Sequence, residues 1–157
     1  MNEDNLIARL LVLHRERGWR LDFPPATEGQ VAATERALGF PLPPLLRRLY
    51  RELGNGGFGP CRAFLGVHGG YADEDIGKNL TLAGLYAVFH DPKDTVLPHG
   101  VVPVLNWGCA RRSCVDCTIP EAPVHLFVGD DRGLLPDAPS LAAWLAAWAA
   151  DPDNFTR

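Results

Sequence analysis

TEGQVAATERALGFPLPPLLRRLYRELGNGGFGP, residues 27–60, is the stretch that decides how this chain folds. It reads as two short amphipathic helices joined by a proline-rich elbow and closed by a glycine-rich turn. Thr27 stands where an N-cap is needed and Gln30 follows three residues on, the spacing of a capping box. Leu38-Gly39 ends that helix, because glycine takes the left-handed conformation that terminates helices without a steric penalty. Pro41, Pro43 and Pro44 form the elbow, and a proline in the first turn of the next helix removes no hydrogen bond. In that helix Leu45, Leu46, Leu49, Tyr50 and Leu53 share one face, while Arg47, Arg48, Arg51 and Glu52 take the other. Gly54-Asn55-Gly56-Gly57 stops it.

This run resembles the signature of the SMI1/KNR4 (SUKH) family: a Glu-bearing helix, Leu-Gly, a Leu-Pro elbow, a second helix, then Asn-Gly-Gly. The matching residues here are Glu35, Leu38-Gly39, Leu42-Pro43, the helix over 44–53 and Asn55-Gly56-Gly57, with Gly59-Pro60 following. VPVLNWGCARRSCVDC (102–117) is similar to the family's Trp-Gly strand segment, and SLAAWLAAW (140–148) to its closing helix. The likeness spans residues 25–150, with 1–24 as a helix and connector of the same domain and 151–157 as a tail. It implies a non-enzymatic protein-binding domain, most often a bacterial immunity protein that binds and neutralises a toxin such as a nuclease or deaminase. Fungal relatives imply the alternative, a regulatory or scaffolding interaction domain.

The remaining periodicities predict an α+β domain with helices packed on a largely antiparallel sheet. Leu6, Ile7, Leu10, Leu11 and His14 predict a helix over 4–17, with His14 on its apolar face. Strands are expected at 62–67, 101–106, 113–118 and 124–128, with a Gly/Asp/Asn-rich loop at 68–79 and turns at 108–110 and 129–133. Residues 80–91 suit a helix through Leu82, Leu85, Tyr86 and Phe89, but the segment is short. Pro139 and Ser140 open a last helix with Leu141, Trp144, Leu145 and Trp148 on one face. The three tryptophans at 107, 144 and 148 read as core.

Composition narrows the function classes. A chain of 157 residues, 46% hydrophobic and 22% charged, suits one folded domain. The net charge of −4 argues against a general nucleic-acid binder, which needs clustered cations against phosphate. No stretch is long and apolar enough for a membrane span, and the start MNEDNLIARLLVLHRERGW has the wrong charge order for a secretory signal. A cytoplasmic location with reduced cysteines is therefore expected. Arginine outnumbers lysine thirteen to two, a bias of GC-rich bacterial genomes.

Cys109, Cys114 and Cys117 carry the C-x4-C-x2-C spacing of iron–sulfur ligands, with Cys61 and His125 as further candidate ligands for zinc. No fourth cysteine follows, and strand alternation sends Cys114 and Cys117 to opposite faces, so buried thiols are expected and no metal or other cofactor. The letters G-x-G-x-x-G at 54–59 follow a helix and precede Pro60, the wrong context for a dinucleotide loop. Asp73, Glu74 and Asp75 lack the ligand spacing of a calcium loop. No nucleophile–base grouping stands out, so no catalytic residue is assigned. Two charged patches remain as candidate partner-binding residues: Asp73, Glu74 and Asp75 in the long loop, and Arg111 and Arg112 in a turn. Both are expected to be exposed.

Overall fold

The computed structural model describes residues 2–76, 79–131 and 133–157; Gly77 and Lys78 of the acidic loop, and Arg132 of the turn expected at 129–133, lie outside the described residues. The described residues form five α-helices and a four-stranded antiparallel sheet. Helix α1 (Glu3–Glu16) is capped by the Asn2 side chain, which accepts from the Asn5 amide at 2.8 Å. In α2 (Glu28–Leu38) the Thr27–Gln30 capping box forms, and Gly39 ends the helix at φ +88°. Glu35 then clamps the elbow: its Oε1 accepts from the Leu42 amide at 3.0 Å and from Arg47 Nε at 2.8 Å. Helix α3 (Pro44–Arg48) widens into a π-helical turn over Leu49–Leu53, which buries Leu49, Tyr50 and Leu53 together.

The strand expected at 62–67 is absent. Pro60–Arg62 is a single 3-10 turn with Cys61 and Arg62 both at φ +54°, and Phe64 makes only an isolated bridge to Leu105. The reason is that, apart from the Leu65 amide, which donates to Val104 O at 2.8 Å, its backbone groups are largely taken up by the turns around it. The Gly57 amide donates to Phe64 O at 2.8 Å, and the Gly66 amide to Tyr71 O at 2.8 Å. The approach is close enough to require glycine at 56, where a Cβ would stand 2.6 Å from Gly66 N at φ +78°.

Helix α4 (Leu82–Phe89) settles the ambiguous segment, and α5 (Leu141–Ala150) is capped by Ser140, whose hydroxyl accepts from the Ala143 amide at 3.0 Å. The strands are β1 (Val101–Gly108), β2 (Arg111–Asp116), β3 (Val124–Val128) and β4 (Gly133–Ala138), paired in that order. Strand β4 is not apparent in the sequence because Pro136 interrupts the run and Leu135 is 53% exposed, which obscures any alternation. Proline is tolerated there because β4 lies at the sheet edge. Cys109 and Ala110 form the β1–β2 turn with φ +51° and +58°, a left-handed pair matched to the strand twist.

Val102, Leu105, Val115 and Val124 join the main core with α1, α2, the 44–53 helical segment and α5. A second, smaller cluster of Leu97, Val101, Cys114 and Phe127 forms apart from it. Trp144 and Trp148 are fully buried, and Trp107 packs edge-on against Trp144. His14 is a core residue. The Gly59 amide donates to its Nε2 at 3.3 Å, so its proton sits on Nδ1, which donates to Leu10 O at 2.8 Å.

A candidate partner-binding cleft

The site begins at Asn55, buried directly behind the helix stop. Its Oδ1 accepts from the Val67 amide at 2.8 Å, its Nδ2 donates to His68 O at 3.1 Å, and its carbonyl accepts from the Tyr71 amide at 3.0 Å. Thr34 Oγ1 accepts from the His68 amide at 2.9 Å, tying the same loop to α2. One signature residue therefore sets where Tyr71 emerges. Beyond it Asp73 and Leu80 exchange backbone bonds of 2.8 and 3.0 Å, and the Asp73 carboxylate accepts from the Asp75 amide at 2.8 Å. These bonds fix the backbone at Asp73 and Asp75.

The structure brings the two expected charged patches together. Arg112 Nη1 donates to Asp73 Oδ2 in an ion pair whose side chains are each 5% exposed, and Arg112 Nη2 reaches Asp75 at 3.4 Å. The Arg112 guanidinium also lies 5.6 Å from the centre of the Phe89 ring. Asn106 Nδ2 donates to Asp75 Oδ2 at 3.1 Å and approaches Asp73 at 3.4 Å. The expectation that all five charges are exposed is thus corrected: Glu74 and Asp75 are exposed, Arg111 is half-buried, and Asp73 and Arg112 are buried. The cause is the strand boundary. β2 begins at Arg111 rather than after the arginines, so Arg112 is a strand residue covered by the acidic loop.

Beside this pair lies a cleft of about 380 Å³, with Ala63, Leu65 and Tyr71 as its less polar wall and Asp73, Glu74 and Asn106 as its polar one. Asp73 and Asp75 share the Arg112 guanidinium and Glu74 lines the cleft beside them, so carboxylates outnumber that guanidinium here. Tyr71 feels that field: burial, then the Asp73 and Glu74 carboxylates, hold its phenol above the usual tyrosine range. A buried pair such as Asp73–Arg112 is weak evidence for net stability. Its consequence is positional, since it anchors the segment that presents Glu74 and Asp75. Tyr71 and Asn106 escaped the sequence reading because their partners lie far along the chain, and no local spacing reports such a pairing.

The cysteines do not converge. Cys109 is exposed in the β1–β2 turn and Cys61 in the 3-10 turn. Cys114 is buried in the smaller cluster, whereas Cys117 packs against the main core. Burial pushes both thiols up to about 12, which opposes the thiolate that a metal requires. His125 stands opposite Cys114 in the β2–β3 register, with its buried Nδ1 lacking a hydrogen-bond partner among the described residues. Among the described residues no three His, Cys, Asp or Glu side chains gather in a way that could hold a metal ion.

The SMI1 / KNR4 family (SUKH-1) profile matches residues 25–147. The chain belongs to this family. The match runs from just before α2 into α5, so it takes in the elbow clamp at Glu35, the Asn55 node and the cleft. In this SUKH protein the signature residues serve the architecture: Glu35 and Asn55 satisfy backbone groups of the chain itself. No curated protein matches the chain in sequence. Among the described residues no helix is long and apolar enough to cross a membrane.

Proposed function

We propose that this SUKH protein is a non-enzymatic binding domain of the bacterial cytoplasm, and specifically an immunity protein that neutralises a protein toxin by occluding its active site. The observation that carries this reading is the family match over residues 25–147. The acidic rim supports it physically. A toxin that acts on nucleic acid presents cations to phosphate, and Glu74 and Asp75 offer a complementary surface. The proposed contact residues are Glu74, Asp75 and Arg111 at the surface, with Asp73 and Arg112 as the buried pair that positions them.

The test is to co-express the chain with the toxin encoded beside it. The parent chain should protect the cells. Changing the exposed Glu74 to Lys should weaken binding, chiefly through the association rate, and leave the fold intact. Failure of the parent chain to protect against any neighbouring toxin would overturn the immunity reading.

A further inference from the structure

We infer that the cleft between Tyr71, Glu74 and Asn106 receives an arginine side chain from a basic loop of a protein partner. The inference rests on the protein-binding reading above and adds the chemistry of what is bound. The cleft has the parts such a side chain needs. Half-buried Ala63 offers apolar surface to the methylene stem. The half-buried Tyr71 ring forms one wall, held edge-on against Phe23 at 5.8 Å, and an aromatic face attracts a guanidinium. Glu74 supplies the anion: it is exposed, it lines the cleft, and it is in no ion pair among the described residues, unlike Asp73 and Asp75. A carboxylate with both oxygens available is the acceptor that planar guanidinium groups bind in bidentate fashion.

The surroundings make the site selective for charge. A second recess of about 280 Å³ that also touches Tyr71 is lined by Arg20 and Arg62, with Asp22 paired to Arg20 at 3.4 Å. A cation therefore finds more carboxylate in the Glu74 cleft than in the recess of Arg20 and Arg62. The buried Asp73–Arg112 pair and the Asn106 bonds hold the acidic wall before anything binds, so less ordering is left to the moment of association.

A probe independent of any toxin tests this. The ¹⁵N-labelled full chain is titrated with the capped tripeptide Gly-Arg-Gly, and in parallel with Gly-Lys-Gly and Gly-citrulline-Gly. The arginine peptide should give saturable amide shifts at Ala72, Glu74 and Asn106. Glu74→Gln should bind it about tenfold more weakly, the loss of roughly one charge-assisted hydrogen bond. The citrulline peptide, similar in shape but uncharged, should shift nothing. Equal binding by citrulline, no change on Glu74→Gln, or shifts lying only outside the cleft would each overturn the proposal. Lysine binding as tightly as arginine would overturn the arginine assignment. Protection from a toxin by the parent chain beside a silent titration would remove the arginine pocket and leave the immunity reading standing. Saturable arginine binding by a chain that protects against no toxin would do the reverse.

Discussion

Replacing Asn55 by alanine isolates the contact on which both the signature turn and the cleft depend. The side chain makes two bonds, accepting from the Val67 amide at 2.8 Å and donating to His68 O at 3.1 Å. Their loss is unequal. Val67 is fully buried, so its N–H would be stranded and should cost about 1–3 kcal/mol, whereas the carbonyl of exposed His68 can turn to water. Asn55 also fills space against Gly70, where a Cβ would stand 2.2 Å from Oδ1, so truncation opens a gap worth about 1 kcal/mol more. The sum, about 2–4 kcal/mol, corresponds to a fall in melting temperature of roughly 4–16 °C for a chain of this size. Urea and thermal denaturation measure it, and amide hydrogen exchange locates it: the Val67 N–H should be protected in the parent and exchange rapidly in Asn55→Ala. A loss under about 0.5 kcal/mol with Val67 still protected would refute the reasoning, because the loop would then be held by its backbone bonds alone.

Three further outcomes are expected. Arg112→Met should cost about 3–5 kcal/mol by urea titration, because it strands a buried carboxylate, while Arg112→Met with Asp73→Leu should recover at least half of that loss. Burial, opposed by the bond to Leu10 O and reinforced by Arg62, lowers the His14 pKa below 6.5. The unfolded chain therefore binds that proton more readily, so the stability contribution is complete above pH 6.5 and falls as the solution is acidified, by at most about 1.4 kcal/mol per pH unit. The difference in urea midpoint between parent and His14→Gln should accordingly shrink from pH 7.5 to pH 5.5. Of the four thiols, exposed Cys61 and Cys109 should react quickly with a disulfide reagent in the native protein, and Cys114 and Cys117 only on unfolding.

What could be read from residues alone was whatever depends on near neighbours. The Thr27–Gln30 box, the Gly39 stop and the Ser140 cap all involve residues a few positions apart, where local physics decides. The misread segments were decided elsewhere in the chain. Residues 62–67 have strand-forming side chains, but the Asn55–Gly57 turn and Tyr71 take most of the hydrogen bonds a ladder would need, and only the Leu65 amide reaches Val104 O. Strand β4 exists because β3 offers it an edge, against the local signal of Pro136. The charges of the site were visible as two patches, yet their pairing joins positions 39 residues apart, and composition alone does not turn an expected surface arginine into a buried one.

The packing of α1 against α5 also orders events as the polypeptide is made. Trp148 stacks on Trp19 at 6.0 Å and tilts against His14 at 5.8 Å, and Arg17 binds Asp153 at 2.8 Å. Helix α1 is thus completed by a helix that leaves the ribosome well after it. From Glu16 to Leu141 the ribosome must add 125 residues, which takes roughly 6–25 s at ordinary elongation rates. During that interval the face of α1 that α5 will cover stays open to chaperones and to neighbouring nascent chains. Joining α5 to α1 through a short linker, and opening the chain elsewhere, should shorten the wait without changing a single core contact.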